Sequence, residues 1–442
     1  MDKLRETILA EVPEMAKQAG ETLLKWSWVE PEVWTERMLA ALEQGVKGGK
    51  WFSLIDKVYS RENLLSGFNK VKRNKGSAGA DNVTIELFEK RLEENLTEIE
   101  EELKEDTYKP GAIRRHFIPK PGSKELRPLG IPPVKDRIIQ SALRNVIEPI
   151  FEAEFAEQSY GFRPGRGCKD ALRRVDQLLR QGHTMVVDVD IKGYFDSIPH
   201  NRLMTLIEEK ISDGRILQLL EKYLTQRIFD GMKEWSPDRG SPQGAVISPL
   251  LSNIYLNPLD QLMRSKGFEM VRYADDQVIL CRTRQEANTA YETVKDWMEK
   301  AGLTLHPEKT RIVDVTQKGG FEFLGYHFEQ NRKQPRQKSL KKFKDSIRFK
   351  TRRANGGSLR EIIKSLNPLI QGWFEYFKHS MKTTFRSLDG WIRRRIRSIL
   401  RSRIKLKGIS KGLDHQRWPN SFFQESGLFS LKAAHFKACQ SR

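Results

Sequence analysis

The sequence predicts an α+β chain: an antiparallel sheet in the middle and an all-helical, basic last quarter. Three observations predict it. Runs of β-branched and aromatic residues bounded by turn formers recur between about residues 114 and 328. Beyond residue 338 the pattern is helical, punctuated only by Gly356-Gly357 and Pro368. The charge is also lopsided. The chain carries +20 overall, yet residues 331–442 hold 29 Lys and Arg against 6 Asp and Glu, while the other 330 residues hold 49 against 52. Cations at that density repel one another unless a polyanion covers them, so the last quarter reads as a polyanion-binding surface.

A chain of 442 residues exceeds one small core and points to two or three domains. Its 38% hydrophobic content and nine tryptophans exclude a disordered chain. No apolar run approaches a membrane span, and the acidic N-terminus lacks an apolar signal core, so neither a membrane protein nor a secreted one is expected. Cys168, Cys281 and Cys439 lie far apart, which argues against disulfides or a zinc knuckle and for a reducing, cytoplasmic setting.

Residues 1–60 are expected to be a helical extension carrying Trp26, Trp28 and Trp34, broken at Pro31. A helix follows over 63–75, and 84–106 reads as one acidic amphipathic helix burying Leu87, Leu92, Leu96, Ile99 and Leu103. Two short strands, 114–120 and 126–132, form a ribbon whose Lys120 and Arg127 could clamp a triphosphate. Helical patterns cover 136–156 and 168–181. Met185-Val186-Val187-Asp188-Val189-Asp190-Ile191 is a strand running into carboxylates, and a helix starts near Pro199. Residues 240–256 form a loop opening a helix, whose free amides favour an anion. Residues 271–280 read as strand, tight turn and strand, with Asp275 and Asp276 at the turn. Phe321 to Phe328 alternates as a strand pair around Gly325.

Aspartates favour turns, so the Asp275-Asp276 pair alone says little. Adjacent like charges are costly without a cation, however, and a carboxylate ending a buried strand, as at Asp190, is costly without a partner. One isolated carboxylate plus a carboxylate pair is what two-metal phosphoryl transfer requires. Magnesium suits it, because it takes hard oxygen ligands and few protein carboxylates.

At this point the ordered blocks resemble a known family. Tyr273-Ala274-Asp275-Asp276 matches the active-site box of reverse transcriptases. Residues 127–132, 159–166, 190–196, 240–256 and 321–326 look like successive blocks of bacterial group II intron reverse transcriptase/maturases, and 366–377, 417–423 and 427–431 resemble that family's maturase region. The resemblance implies a right-hand polymerase with fingers and palm over 61–330, a thumb/maturase domain over 331–412, and a short segment over 413–442 that could bind DNA. It implies an RNA-directed DNA polymerase that also binds intron RNA and promotes splicing and mobility, with RNA template, DNA primer and deoxynucleoside triphosphates as partners; a related reverse transcriptase recruited to host defence or DNA repair without an intron, and a splicing-only RNA-binding maturase, are the alternatives. Asp190 and Asp275, with the Ile191 carbonyl, would hold two Mg2+ ions, and Asp276 would shape the site. Phe195 would exclude a 2′-hydroxyl, Lys120 and Arg127 would hold the triphosphate, and Gln243 and Lys309 would also face the nucleotide. Phe323, Leu324, Gly325 and Tyr326 would grip the primer, and Arg393, Arg394, Arg395 and Arg397 would bind RNA. Many relatives end in a zinc-supported nuclease with paired cysteines, and nothing of that kind follows residue 431.

Overall fold

The computed structural model describes residues 25–46, 48–119, 126–330, 332–354, 356–406 and 412–440. In chain order its principal elements are α1 (Arg61–Asn74), β1 (Ile113–Pro119), β2 (Leu126–Ile131), α2 (Val134–Glu152), α3 (Cys168–Arg180), β3 (Met185–Val189), β4 (Ile228–Phe229), β5 (Glu234–Trp235), α4 (Ser248–Ser265), β6 (Glu269–Tyr273), β7 (Asp276–Cys281), α5 (Arg284–Lys300), β8 (Arg311–Asp314), β9 (Phe321–Phe323), β10 (Tyr326–Glu329) and β11 (Arg332–Pro335). Four longer helices close the chain: α6 (Gln337–Lys350), α7 (Leu359–Phe377), α8 (Lys382–Arg403) and α9 (Leu431–Gln440).

The palm is a four-stranded antiparallel sheet in the order β6-β7-β3-β8. Strand alternation gives it two apolar faces. Val187, Val189, Met270 and Ile279 join the large core that also holds α2, α4 and α5. Val186, Val271, Val278 and Leu280 pack on α3 and on the small β9–β11 sheet. With both faces covered, function is left to the strand ends.

The fingers rest on α1 against α2. Their backbones come so close that a Cβ on Gly67 would lie 2.8 Å from the Ile138 carbonyl oxygen, so only glycine fits there. The β1–β2 ribbon pairs antiparallel from Arg114↔Ile131 to Pro119↔Leu126, and β4 and β5 extend it. Residues 25–46 and 48–60 are bound into the same core: Trp26 and Trp34 are buried in it, and the Trp34 indole donates to the Asn145 carbonyl on α2 at 2.9 Å.

The single helix expected over 84–106 is two, Ile85–Lys90 and Leu92–Lys104. Asn95 bonds the Phe88 carbonyl at 2.9 Å, ending the first helix and turning the second. Leu87 is therefore exposed, while Leu96, Ile99 and Leu103 are buried as the spacing predicts. Pro368 does not break α7 either. The carbonyl it leaves unbonded is that of Lys364, on the exposed face of the helix, where solvent can reach it.

α6, α7 and α8 build a second core from Phe343, Ile347, Leu366, Ile370, Phe385, Ile392 and Ile396. The C-terminal segment joins it through Phe423, Leu428 and Leu431, and the Asp389 carboxylate accepts from the Leu431 and Lys432 amides, both at 3.0 Å, at the start of α9. No described helix is long and apolar enough to cross a membrane.

Candidate active site

The turn expected to be catalytic is a two-residue connection: Tyr273 pairs with Asp276, leaving Ala274 and Asp275 at the tip. Ala274 has φ +57°, a left-handed conformation that a non-glycine residue holds only when its surroundings impose it. They do so through Arg272, which is completely buried. Its guanidinium donates to both Asp260 oxygens (2.8 and 3.0 Å from Nε), to Asn253 Oδ1 (2.9 Å) and to the Ala274 carbonyl (2.9 Å). Sequence reading missed this device. The available signal was a lone arginine inside an apolar strand; its partners lie 12 and 19 residues away on α4.

Asp190 follows the end of β3, beside the hairpin, because Val189 pairs with Gln277. Its carbonyl accepts from the His306 amide at 2.7 Å and from the Thr310 hydroxyl at 3.2 Å. Lys309, expected at the nucleotide, places Nζ 2.8 Å from the Asp190 carboxylate.

The Asp190 charge acts on both carboxyls of the hairpin. Asp276 is open to solvent yet sits in a crowded cleft. Loss of hydration there, then the charges of Asp275 and Asp190, push it up to about 6. Asp275 is also raised, first by burial and then by Asp190, while Arg127 and Arg272 oppose the shift. A group of carboxylates that resists its own ionisation is one a cation stabilises. Among the described residues no three His, Cys, Asp or Glu side chains form a closed metal cage. Two carboxylates with an open side fit a metal that keeps water and substrate phosphate as its other ligands.

The nucleotide-side candidates converge through the backbone. Gly130 of the ribbon donates to the Gln243 carbonyl at 2.6 Å, and Ser241 donates to the Phe195 carbonyl at 2.7 Å. Gly244 has φ +108°, and a Cβ there would lie 2.4 Å from the Gly130 oxygen. Arg127 on β2 reaches the Asp275 and Asp276 carboxyls electrostatically. Lys120 lies outside the described residues.

Comparison with known proteins agrees with this geometry. Residues 118–328 match the family described as Reverse transcriptase (RNA-dependent DNA polymerase), and residues 340–418 match the Group II intron, maturase-specific domain. Protein YkfC of Escherichia coli is 32% identical over 349 residues, 70% of this chain and 87% of that protein. The chain belongs to the group II intron reverse transcriptase/maturase family. The group II intron-encoded protein LtrA of Lactococcus lactis is 36% identical over 211 residues, which is 48% of this chain and 35% of LtrA. An uncharacterized 91 kDa protein in a cob intron of Schizosaccharomyces pombe is 36% identical over 217 residues, 48% of this chain and 26% of that protein. The chain thus spans most of one relative and about a third or less of the others.

In this reverse transcriptase an RNA-directed DNA polymerase domain, of a kind that uses divalent metal, joins a helical maturase domain. Two expectations need correction. Of the four primer-grip candidates, Phe323 and Tyr326 are core side chains, 3% and 2% exposed, because strand alternation turns both inward. Only the Leu324–Gly325 turn, with φ +45° and +85°, is presented, and the Tyr376 hydroxyl holds its Leu324 carbonyl at 2.7 Å. Of the four arginines on α8, Arg397 is not on the surface: it is 2% exposed and donates to the Trp418 carbonyl and Asn420 Oδ1. Arg395 is half-buried and donates to Thr351 Oγ1 and to the Thr351 and Arg348 carbonyls at the end of α6. Arg394 is exposed, and Arg393 partly so.

Proposed function

We propose that this protein extends a DNA primer on an RNA template by nucleotidyl transfer assisted by two Mg2+ ions, and that its helical domain binds structured group II intron RNA, promoting splicing and mobility. The supporting observation is convergence: the Asp190 charge, from beyond β3, raises the proton affinity of both Asp275 and Asp276 across the hairpin, and Arg127 from the ribbon acts on the same two carboxyls. Asp190 and Asp275, with the Ile191 carbonyl, hold the metal. When bound, Mg2+ neutralises triphosphate charge and acidifies the primer 3′-hydroxyl. Arg127 and Lys120 hold the triphosphate, and Gln243 lines the nucleotide pocket. Phe195 walls off the sugar edge, so a 2′-hydroxyl is excluded and the product is DNA. Asp276 deepens the negative potential at the primer end. Lys309 neutralises Asp190 until substrate arrives.

Asp275→Asn should abolish primer extension on an RNA template, by about a thousandfold or more, while RNA binding is kept. Retained extension sinks the polymerase assignment. Sequencing the RNA that co-purifies with the protein tests the intron partner. Recovery of no structured intron RNA would remove that half of the proposal and leave the catalytic half standing.

A further inference from the structure

One loop is locked to the catalytic turn more tightly than folding alone requires. Arg272 and residues 158–160 exchange backbone hydrogen bonds, Arg272 to the Gln158 carbonyl and Tyr160 to the Arg272 carbonyl, both 2.9 Å, which extends the sheet beyond β6. Asn253 donates to the Gly161 carbonyl at 2.9 Å, and a Cβ on Gly161 would lie only 2.2 Å from the Ala274 nitrogen. Arg163 is buried; it pairs with Glu152 and donates to the Ala156 and Ser159 carbonyls at 2.6 and 2.9 Å.

Phe162, between those two fixed residues, behaves differently in two respects. Its ring is 41% exposed, and its backbone has φ +61°. A bulky residue rarely occupies that region, and glycine would hold the same conformation with less strain. The backbone strain and the exposed part of the side chain both work against the ring's partial burial, so stability alone is a weak reason for an aromatic residue here. Its position offers a reason. The ring lies 6.4 Å from that of Tyr273, immediately before the catalytic turn. If Asp275 and Asp190 bring the 3′-hydroxyl to within about 3–3.5 Å of the phosphorus it attacks, the terminal primer nucleotide must fill the space over the turn. A partly exposed ring beside Tyr273, on a loop whose Gly161 backbone abuts Ala274, falls within that nucleotide's footprint.

We propose that Phe162 is a positioning residue for the primer: its ring bears on the last base pair of the primer–template duplex and, with Tyr273, fixes where the 3′ end stops over Asp275. This rests on the polymerase reading above. An aromatic face suits the task because every base presents an apolar surface, so the contact tolerates any sequence. The backbone strain persists because the loop on either side is overdetermined.

The test compares Phe162→Gly, Phe162→Leu and Phe162→Tyr in the full-length protein, using a DNA primer annealed to an RNA template. Phe162→Gly should melt within a few degrees of the wild type, since relief of the left-handed strain offsets the loss of the ring's partial burial beside Tyr273. Its KM for primer–template should nevertheless rise about tenfold, with kcat at saturation within about twofold, and it should extend primers with a mismatched 3′ end more readily relative to matched ones. Phe162→Tyr should restore both values, and Phe162→Leu should fall between. An unchanged KM and mismatch preference in Phe162→Gly overturns the proposal. So does a melting temperature that falls in step with binding, which would mark the ring as structural. If the wild-type protein extends no primer at all, the polymerase reading fails first. If Asp275→Asn abolishes extension while the Phe162 variants behave as wild type, this proposal alone fails.

Discussion

Two buried arginines, one in the palm and one in the helical domain, are satisfied in opposite ways. Arg272 faces the Asp260 carboxylate, itself completely buried, and its charge is cancelled where it arises. Arg397 gives its hydrogen bonds to neutral acceptors, the Trp418 carbonyl and Asn420 Oδ1, and lies 5.0 Å from the centre of the Phe423 ring. The palm must keep its three carboxylates close without collapsing them onto a nearby cation, so it buries the cation with its own counter-ion. Arg272 is accordingly only the smallest of the influences on Asp275. The helical domain has no such constraint. An arginine can hold its C-terminal segment and still add to a positive field, although burial and Arg393 both weaken its hold on the proton.

The contrast is testable at several strengths. Arg272→Ala strands a buried carboxylate and should cost about 3–5 kcal/mol in urea unfolding, with polymerase activity lost as well. Adding Asp260→Leu should recover much of the stability but not the activity, because Ala274 remains unsupported. Equal stability of the single and double variants would break the pairing argument. Arg397→Ala should cost less, about 2–3 kcal/mol, confined to the helical domain, so extension of a short primer survives while heat or protease releases residues 412–440. A uniform loss across both domains would contradict this. Arg394→Ala touches no buried group and should leave melting unchanged. It should lower the slope of log affinity for RNA against log salt by about one, and an unchanged slope would place the RNA surface elsewhere.

A third buried ionisable group acts through pH. Asp136 on α2 accepts from the Tyr108 hydroxyl (2.7 Å), the Gly111 amide (3.0 Å) and Gln226 Nε2 (2.6 Å), yet burial pushes it up to about 7. The folded chain thus keeps a proton that the unfolded chain releases near pH 4. This group's contribution to stability is complete below about pH 4 and is lost as the pH rises through about 7. Melting temperatures from pH 4.5 to 7.5 should show that decline, and Asp136→Asn should flatten it.

The parts legible in the sequence were those written locally. Alternation placed the ribbon, β3 and the β6–β7 hairpin, and the charge count marked out the helical domain before any contact was known. The paired aspartates were visible because their cost is paid within four residues. What stayed hidden depends on partners distant in the chain: Asp260 and Asn253 behind Arg272, Thr310 behind Asp190, Tyr376 behind the Leu324 turn. The inward turn of Phe323 and Tyr326 was available from alternation. The burial of Arg397 was not, because an arginine on a basic helix looks the same whether water or a neighbouring backbone receives it.

The link between α7 and the turn at Leu324 bears on movement. Tyr376 donates its hydroxyl to the Leu324 carbonyl, and Tyr326, two residues on, donates its own back to the Tyr376 carbonyl at 2.6 Å. Two reciprocal bonds at one point make a clasp, so helix and turn shift together. α7 has 19 residues and is therefore about 28 Å long. It acts as a lever with its fulcrum at the β9–β10 turn. A change in the tilt of α7 would therefore carry the Leu324–Gly325 turn with it, because the two reciprocal bonds leave helix and turn no separate path.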